Sequence, residues 1–225
     1  MKKQISVLLG SIMLTGSILT GCGNEKTSTE NKEKATSAEQ KDVSNKSEKE
    51  EKGTVNLSKV GQKAKADGNE AELMKIKEVN QTVDIAPIKY TVKDMKIIKL
   101  NKVNKSMTEF LLQYTGGNKL PDDLNYIQIQ YSVENTSDQN VDFYGLQKVV
   151  LNNGEQLDAI GNDFIWESED SDSKFYGKVK KEGSVGLIIK GKPEEITSAK
   201  LIFSNTVNPD GYETITEEQQ AEFQF

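Results

Sequence analysis

Few side chains in this sequence stand at spacings that could perform chemistry. Gly186 to Lys192, "GLIIKGK", has the G-x-x-x-x-G-K spacing with which a glycine-rich loop cradles phosphates. Pro193 occupies the place where that motif needs Ser or Thr for magnesium, and Leu187, Ile188 and Ile189 read as strand rather than loop, so a phosphate site is rejected. Ser171 and Lys174 form S-x-x-K, the spacing of a serine nucleophile and its lysine base. They lie in acidic "ESEDSDSKF" with no K-T-G or S-D-N partner, and a mobile acidic loop is the wrong place to desolvate a lysine. The acidic stretch Asp163, Glu167, Glu169, Asp170 and Asp172 offers hard oxygen ligands of the kind calcium takes. A loop begun at Asp170 or Asp172 lacks the turn glycine and late Glu of an EF-hand, so the expectation is a solvated, charged connection and no metal is assigned. Trp166, the sole tryptophan, sits in "DFIWESED" beside those acids. It either packs under the loop or anchors a protein or glycan partner, a use for which Trp is enriched. Trp166, Glu167, Glu169, Asp170 and Asp172 are therefore the partner-binding candidates, and Phe143, Tyr144, Phe175 and Tyr176 could join either arrangement.

Two absences narrow the chemistry further. The chain has no histidine, and all 29 of its basic residues are lysine. Without His there is no Ser-His-Asp or Cys-His catalysis and no His-based zinc site. Without Arg there is no bidentate fork for phosphate or carboxylate, although codon bias in an AT-rich genome explains that absence as simply. The formal net charge of -6 disfavours nucleic acid and anionic membrane surfaces as primary partners. No catalytic residue and no cofactor site is assigned.

The only cysteine, Cys22, closes an apolar run and precedes a long polar one. Lys2 and Lys3 form a positive start, and Ile5 to Leu19 is apolar but shorter than the roughly 20 residues that a spanning helix needs. This pattern reads as a secretory signal peptide. Its end, Leu19-Thr20-Gly21-Cys22, resembles the lipobox of bacterial lipoproteins. The resemblance implies cleavage between Gly21 and Cys22, with the Cys22 thiol linked to diacylglycerol as a membrane anchor. Acyl chains contribute about 0.8 kcal/mol per buried methylene, so two of them hold a protein stably. From Gly23 to about Asn56 the chain is Lys, Glu, Ser, Thr and Asn with almost nothing apolar, the composition of a disordered tether. A coil of that length holds a domain on the order of 30 Å from the membrane. The expected organisation is a lipoprotein signal peptide over 1–21, lipidated Cys and linker over 22–56, and one folded domain over 57–225.

Within that domain the hydrophobic period is two. In "YIQIQYSVEN", Ile127, Ile129, Tyr131 and Val133 alternate with Gln128, Gln130, Ser132 and Glu134, a strand with one face buried and one solvated. It stops at the turn formers Asn135 to Asn140. Ile88, Tyr90 and Val92 alternate, and Met95 and Ile97 continue with the phase slipped by one, which predicts a bulge. Asn153-Gly154 between short apolar runs predicts a hairpin; Val185, Leu187, Ile189 and Ala199, Leu201, Phe203 predict two more strands. Only "GNEAELMKIKEV" and "TEEQQAEF" have helical composition, both at the domain's edges. The fold class is all-β, an antiparallel sandwich.

The order of "VGQKAKADG", "VNQTVDIAPIKYTVKDMKIIKL", "YIQIQYSVENTSDQNVDF", "FYGKVKKEGSVGLII" and "AKLIFSN" resembles Gram-positive lipoproteins of uncharacterised function with a telokin-like, immunoglobulin-like domain. That resemblance implies an immunoglobulin-like sandwich outside the cytoplasm and transfers no catalytic residues. The functional expectation is a lipid-anchored, non-enzymatic binding module on the extracytoplasmic face of the cell membrane, with a protein or cell-wall partner and no nucleic acid. The alternative is an envelope enzyme acting on glycans with paired carboxylates, because Asp and Glu are the abundant acid-base groups left.

Overall fold

The computed structural model describes residues 56–117, 119–122, 124–165 and 172–225; the leader, Gly21, Cys22 and the tether up to residue 55 lie outside them. In chain order the elements are β1 (Lys63–Ala66), β2 (Asn69–Ile85), β3 (Ile88–Lys102), α1 (Lys105–Thr115), β4 (Leu124–Asn135), β5 (Val141–Phe143), β6 (Leu146–Leu151) and β7 (Gln156–Asp158). There follow α2 (Ala159–Asn162), β8 (Lys174–Phe175), β9 (Lys180–Ile189), β10 (Ser198–Phe203), β11 (Thr206–Val207), β12 (Thr214–Thr216) and β13 (Gln219–Gln224). They form a five-stranded sheet, β1-β2-β3-β4-β9, facing two four-stranded sheets, β13-β10-β6-β7 and β12-β11-β5-β8. All strand pairings are antiparallel, and the fold is an all-β sandwich.

Period two decides which residues meet in its core. Met95, Ile129 and Val185 stand in one row across β3, β4 and β9, and Ile97, Ile127 and Leu187 in the next. Val149 and Leu151 of β6, Leu201 and Phe203 of β10 and Phe143 of β5 close on them from the opposing sheets, all buried. The bulge expected between Val92 and Met95 is present, as a register shift between Val92 and Asp94 in the pairing with both β2 and β4. It restores Met95 to the inner face, where an unbroken alternation would have placed Asp94. The Asn135 stop is an Asx turn, its Oδ1 accepting from Ser137 N at 3.0 Å and its Nδ2 donating to Gln139 O at 2.8 Å.

Three expectations need correction. All of "GNEAELMKIKEV" but Gly68 lies in β2, and of "TEEQQAEF" Thr216 ends β12 and Gln219 to Phe223 lie in β13. Helical composition is a weak prior, and here each segment satisfies its backbone against a neighbouring strand: β2 lies between β1 and β3, and β13 pairs with β10 and buries Phe223. The helix is instead α1, where Asn104 Oδ1 accepts from Met107 N at 2.8 Å and Gly116 closes the C-terminus in the left-handed region. Its apolar stripe, Met107, Phe110, Leu111 and Tyr114, packs with Leu73, Ile98, Leu124 and Tyr126 on the outer face of the first sheet. For that reason β4 is buried on both faces at its start, not on one face throughout.

Candidate functional site

The first sheet ends at β9 and the third at β8, so among the described residues no strand bridges the seam between them. A pocket of about 490 Å³ opens there, within the size range of small-molecule sites. Each contributing side chain is placed by its element. Tyr90 of β3 is on the inner face and 1% exposed, with its ring centroid 5.0 Å from that of Tyr131 of β4 at an interplanar angle of 26°. Tyr131 is cross-strand from Gly183. A Cβ at 183 would stand 2.8 Å from the Tyr131 hydroxyl oxygen and 3.0 Å from Cζ, so only glycine lets the ring lean over β9. Phe143, the last residue of β5, meets Tyr90 edge-on at 6.3 Å, and the next residue, Tyr144, is 62% exposed at the pocket.

The carboxylates of the pocket are held in fixed roles. Asp163 Oδ1 accepts from Ile165 N at 3.1 Å and from Gly186 N at 2.9 Å, tying the chain after α2 to β9. Asp172 Oδ1 accepts from Lys174 N at 3.0 Å, and its carbonyl accepts from Lys181 Nζ at 2.7 Å. The Lys181 ammonium also lies 4.7 Å from the Phe175 ring centroid, within cation–π range. Glu182 pairs with Lys93 at 2.7 Å and Lys180 at 3.2 Å. The hydrogen bond from Lys93 holds its carboxyl below the usual range, so it stays ionised, the opposite of what a general acid requires.

Buried Tyr90 stands apart from these satisfied groups. Its hydroxyl oxygen has no hydrogen-bond partner among the described residues, and of the buried side-chain oxygens in that condition it is the one whose residue lines this pocket. Burial pushes its pKa well above the usual phenol range, and the charges of Tyr131 and Asp163 add to the effect. A phenol kept neutral can both donate and accept a hydrogen bond.

Of the partner-binding candidates from the sequence, Asp172 lines the pocket, and Trp166, Glu167, Glu169 and Asp170 lie outside the described residues. Asp163 and Asp172, which flank that segment, both line it. Phe143 and Phe175 are buried, whereas Tyr144 and Tyr176 are exposed. Sequence reasoning did not find Tyr90 or Tyr131 as site residues, because each sits in an alternating strand pattern that identifies it as core. Among the described residues no cluster of three His, Cys, Asp or Glu side chains could hold a metal ion, and "GLIIK" lies at the end of β9 with no loop to wrap a phosphate.

No protein-family model matches the chain. It is 27% identical over 197 residues to the uncharacterized protein YdhF of Bacillus subtilis, covering 84% of this chain and 79% of that protein. It is 28% identical over 155 residues to YonS, an SPbeta prophage-derived uncharacterized lipoprotein of the same organism, covering 68% of this chain and 65% of that protein. One relative, then, is a lipoprotein. Among solved structures it is similar to a functionally unknown protein from Listeria monocytogenes, with a TM-score of 0.49 and 10% identity over 69% of this chain and 86% of that one. Among the described residues no helix is long and apolar enough to cross a membrane.

Proposed function

We propose that this chain is a lipoprotein anchored at Cys22, carrying on an extracytoplasmic tether an immunoglobulin-like sandwich that acts as a non-enzymatic binding module. The anchor rests on the Leu19-Thr20-Gly21-Cys22 box and on the lipoprotein relative YonS. The observation that carries the binding role is the pocket at the β8–β9 seam, where a buried tyrosine hydroxyl has no partner among the described residues and Tyr144 is exposed. Desolvating a polar group without a hydrogen bond costs about 1–3 kcal/mol, a cost that a bound ligand would offset. The engagement of Glu182 with Lys93 and Lys180, and of Asp163 with two backbone amides, favours binding over carboxylate catalysis on glycans, which needs a carboxyl of raised pKa.

Hydrogen exchange of the full chain tests the binding role when it is compared on its native envelope and after detergent extraction. Segments 141–145 and 181–185 are expected to be protected on the envelope and to lose that protection on extraction. Equal exchange in both states overturns the pocket as a binding site. Mass spectrometry of the extracted protein tests the anchor: a retained leader or an unmodified Cys22 thiol overturns it.

A further inference from the structure

We propose that the ligand of this pocket is an uncharged, polyhydroxylated ring, a sugar residue of a neutral glycan, packed against the Tyr131 and Tyr144 rings and hydrogen-bonded by the Tyr90 hydroxyl. The inference rests on the reading of the pocket as a binding site and adds the ligand class. A pyranose has apolar C–H faces and a polar perimeter, so it needs flat aromatic walls together with groups that both donate and accept. The pocket supplies both: Tyr131 is fixed by stacking on Tyr90, Tyr144 stands exposed, and the Tyr90 hydroxyl is buried without a partner among the described residues. A sugar hydroxyl has the same dual character as that phenol and can complete it in either direction.

Charge separates this ligand from ionic ones of similar size. Each charged side chain of the pocket is already engaged: Glu182 by two lysines, Asp163 by two amides, Asp172 by the Lys174 amide, and Lys181 by a carbonyl and the Phe175 face. Lys181 occupies the position over Phe175 that an organic cation would take, and its ammonium is committed to Asp172 O rather than turned toward an anion. A charged ligand would compete with these contacts for the same groups; a neutral one need not disturb them.

Titration of the full chain, extracted from its membrane, with chitotetraose and maltotetraose as neutral probes and phosphocholine as the charged one decides the matter. Saturable binding of at least one tetrasaccharide is expected, with no competition from phosphocholine. Tyr90→Phe removes only the hydroxyl and should weaken that binding about tenfold, as loss of one buried hydrogen bond does. Tyr144→Ala removes an exposed ring that the fold does not need and should weaken it similarly. The proposal is overturned if neither tetrasaccharide saturates, if both variants bind as the parent does, or if phosphocholine alone binds. Should the sugars fail while segments 141–145 and 181–185 remain protected on the envelope, the ligand class is wrong and the pocket still binds.

Discussion

Replacing Asp163 by Ala should unseat the segment that joins the pocket to the second hydrophobic core. Its Oδ1 accepts from the amides of Ile165 and Gly186 at 3.1 and 2.9 Å, and Phe164 N donates to Gly186 O at 3.1 Å, so two hydrogen bonds hold residues 163–165 to β9 and a third shapes the segment itself. The approach is close: a Cβ at Gly186 would lie 2.8 Å from Ile165 Cγ1. It seats Phe164 and Ile165, both buried, with the Phe164 ring edge-on to Tyr126 at 5.0 Å and to Tyr114 of α1 at 6.3 Å. Alanine leaves two partly buried amides without the carboxylate, for which about 2–4 kcal/mol is expected at about 1.5–3 kcal/mol per hydrogen bond to a charged group, the two acting together rather than adding fully. For a domain of this size that corresponds to a fall in Tm of roughly 5–15 °C. Asn keeps an oxygen at the same place without the charge and should recover most of the loss, leaving about 1 kcal/mol. Thermal and urea unfolding of the full chain, followed by circular dichroism, measures both variants. Equal destabilisation by Ala and Asn, or an Ala variant within about 0.5 kcal/mol of the parent, would show that these two hydrogen bonds do not hold the segment.

Tyr90→Phe, without added ligand, should keep or raise stability by up to about 1 kcal/mol, because it deletes a buried hydroxyl that has no partner among the described residues; a clear fall in the urea midpoint would contradict that. Leu111→Ala should cost about 2–5 kcal/mol, as for a fully buried leucine, and a loss below about 1 kcal/mol would mean that α1 is not part of the cooperative fold. Burial raises the Asp94 carboxyl above its ordinary 3.8, with Lys96 at 3.6 Å pulling the other way. The folded chain therefore holds this proton more tightly than the unfolded chain, and the contribution of Asp94 to stability falls as pH rises from 3.8 through the raised value. Glu182, lowered from 4.5 chiefly by Lys93, contributes oppositely: its stabilisation is present above 4.5 and is lost as pH falls through the lowered value, and it is small because the side chain is half exposed. Urea midpoints across the acid range should lose the first component in Asp94→Asn and keep the second; an unchanged profile refutes the assignment.

The sequence by itself determined several of the strands and their inner faces. Side chains alternate across a strand, so Ile127 and Ile129, Leu187 and Ile189, and Leu201 and Phe203 could be assigned to the core without knowledge of any partner. Even the bulge was legible, because a slipped phase between Val92 and Met95 has one cheap backbone solution. The helix had its own local signals, Asn104 ahead of Met107, Phe110, Leu111 and Tyr114 and Gly116 behind, but they stood between stronger strand patterns. Tertiary structure decided what local composition could not. "GNEAELMKIKEV" and the "QQAEF" of "TEEQQAEF" became strands because adjacent strands completed their backbone hydrogen bonds, a term larger than helix propensity and invisible in a single segment. The pocket was decided at the same level. It exists because two sheets end side by side at β8 and β9, and it brings together Tyr90, Tyr131, Phe143, Asp163 and Lys181, residues far apart in the chain. A strand pattern records that Tyr90 faces inward; only the packed sandwich places that residue in the lining of a cavity.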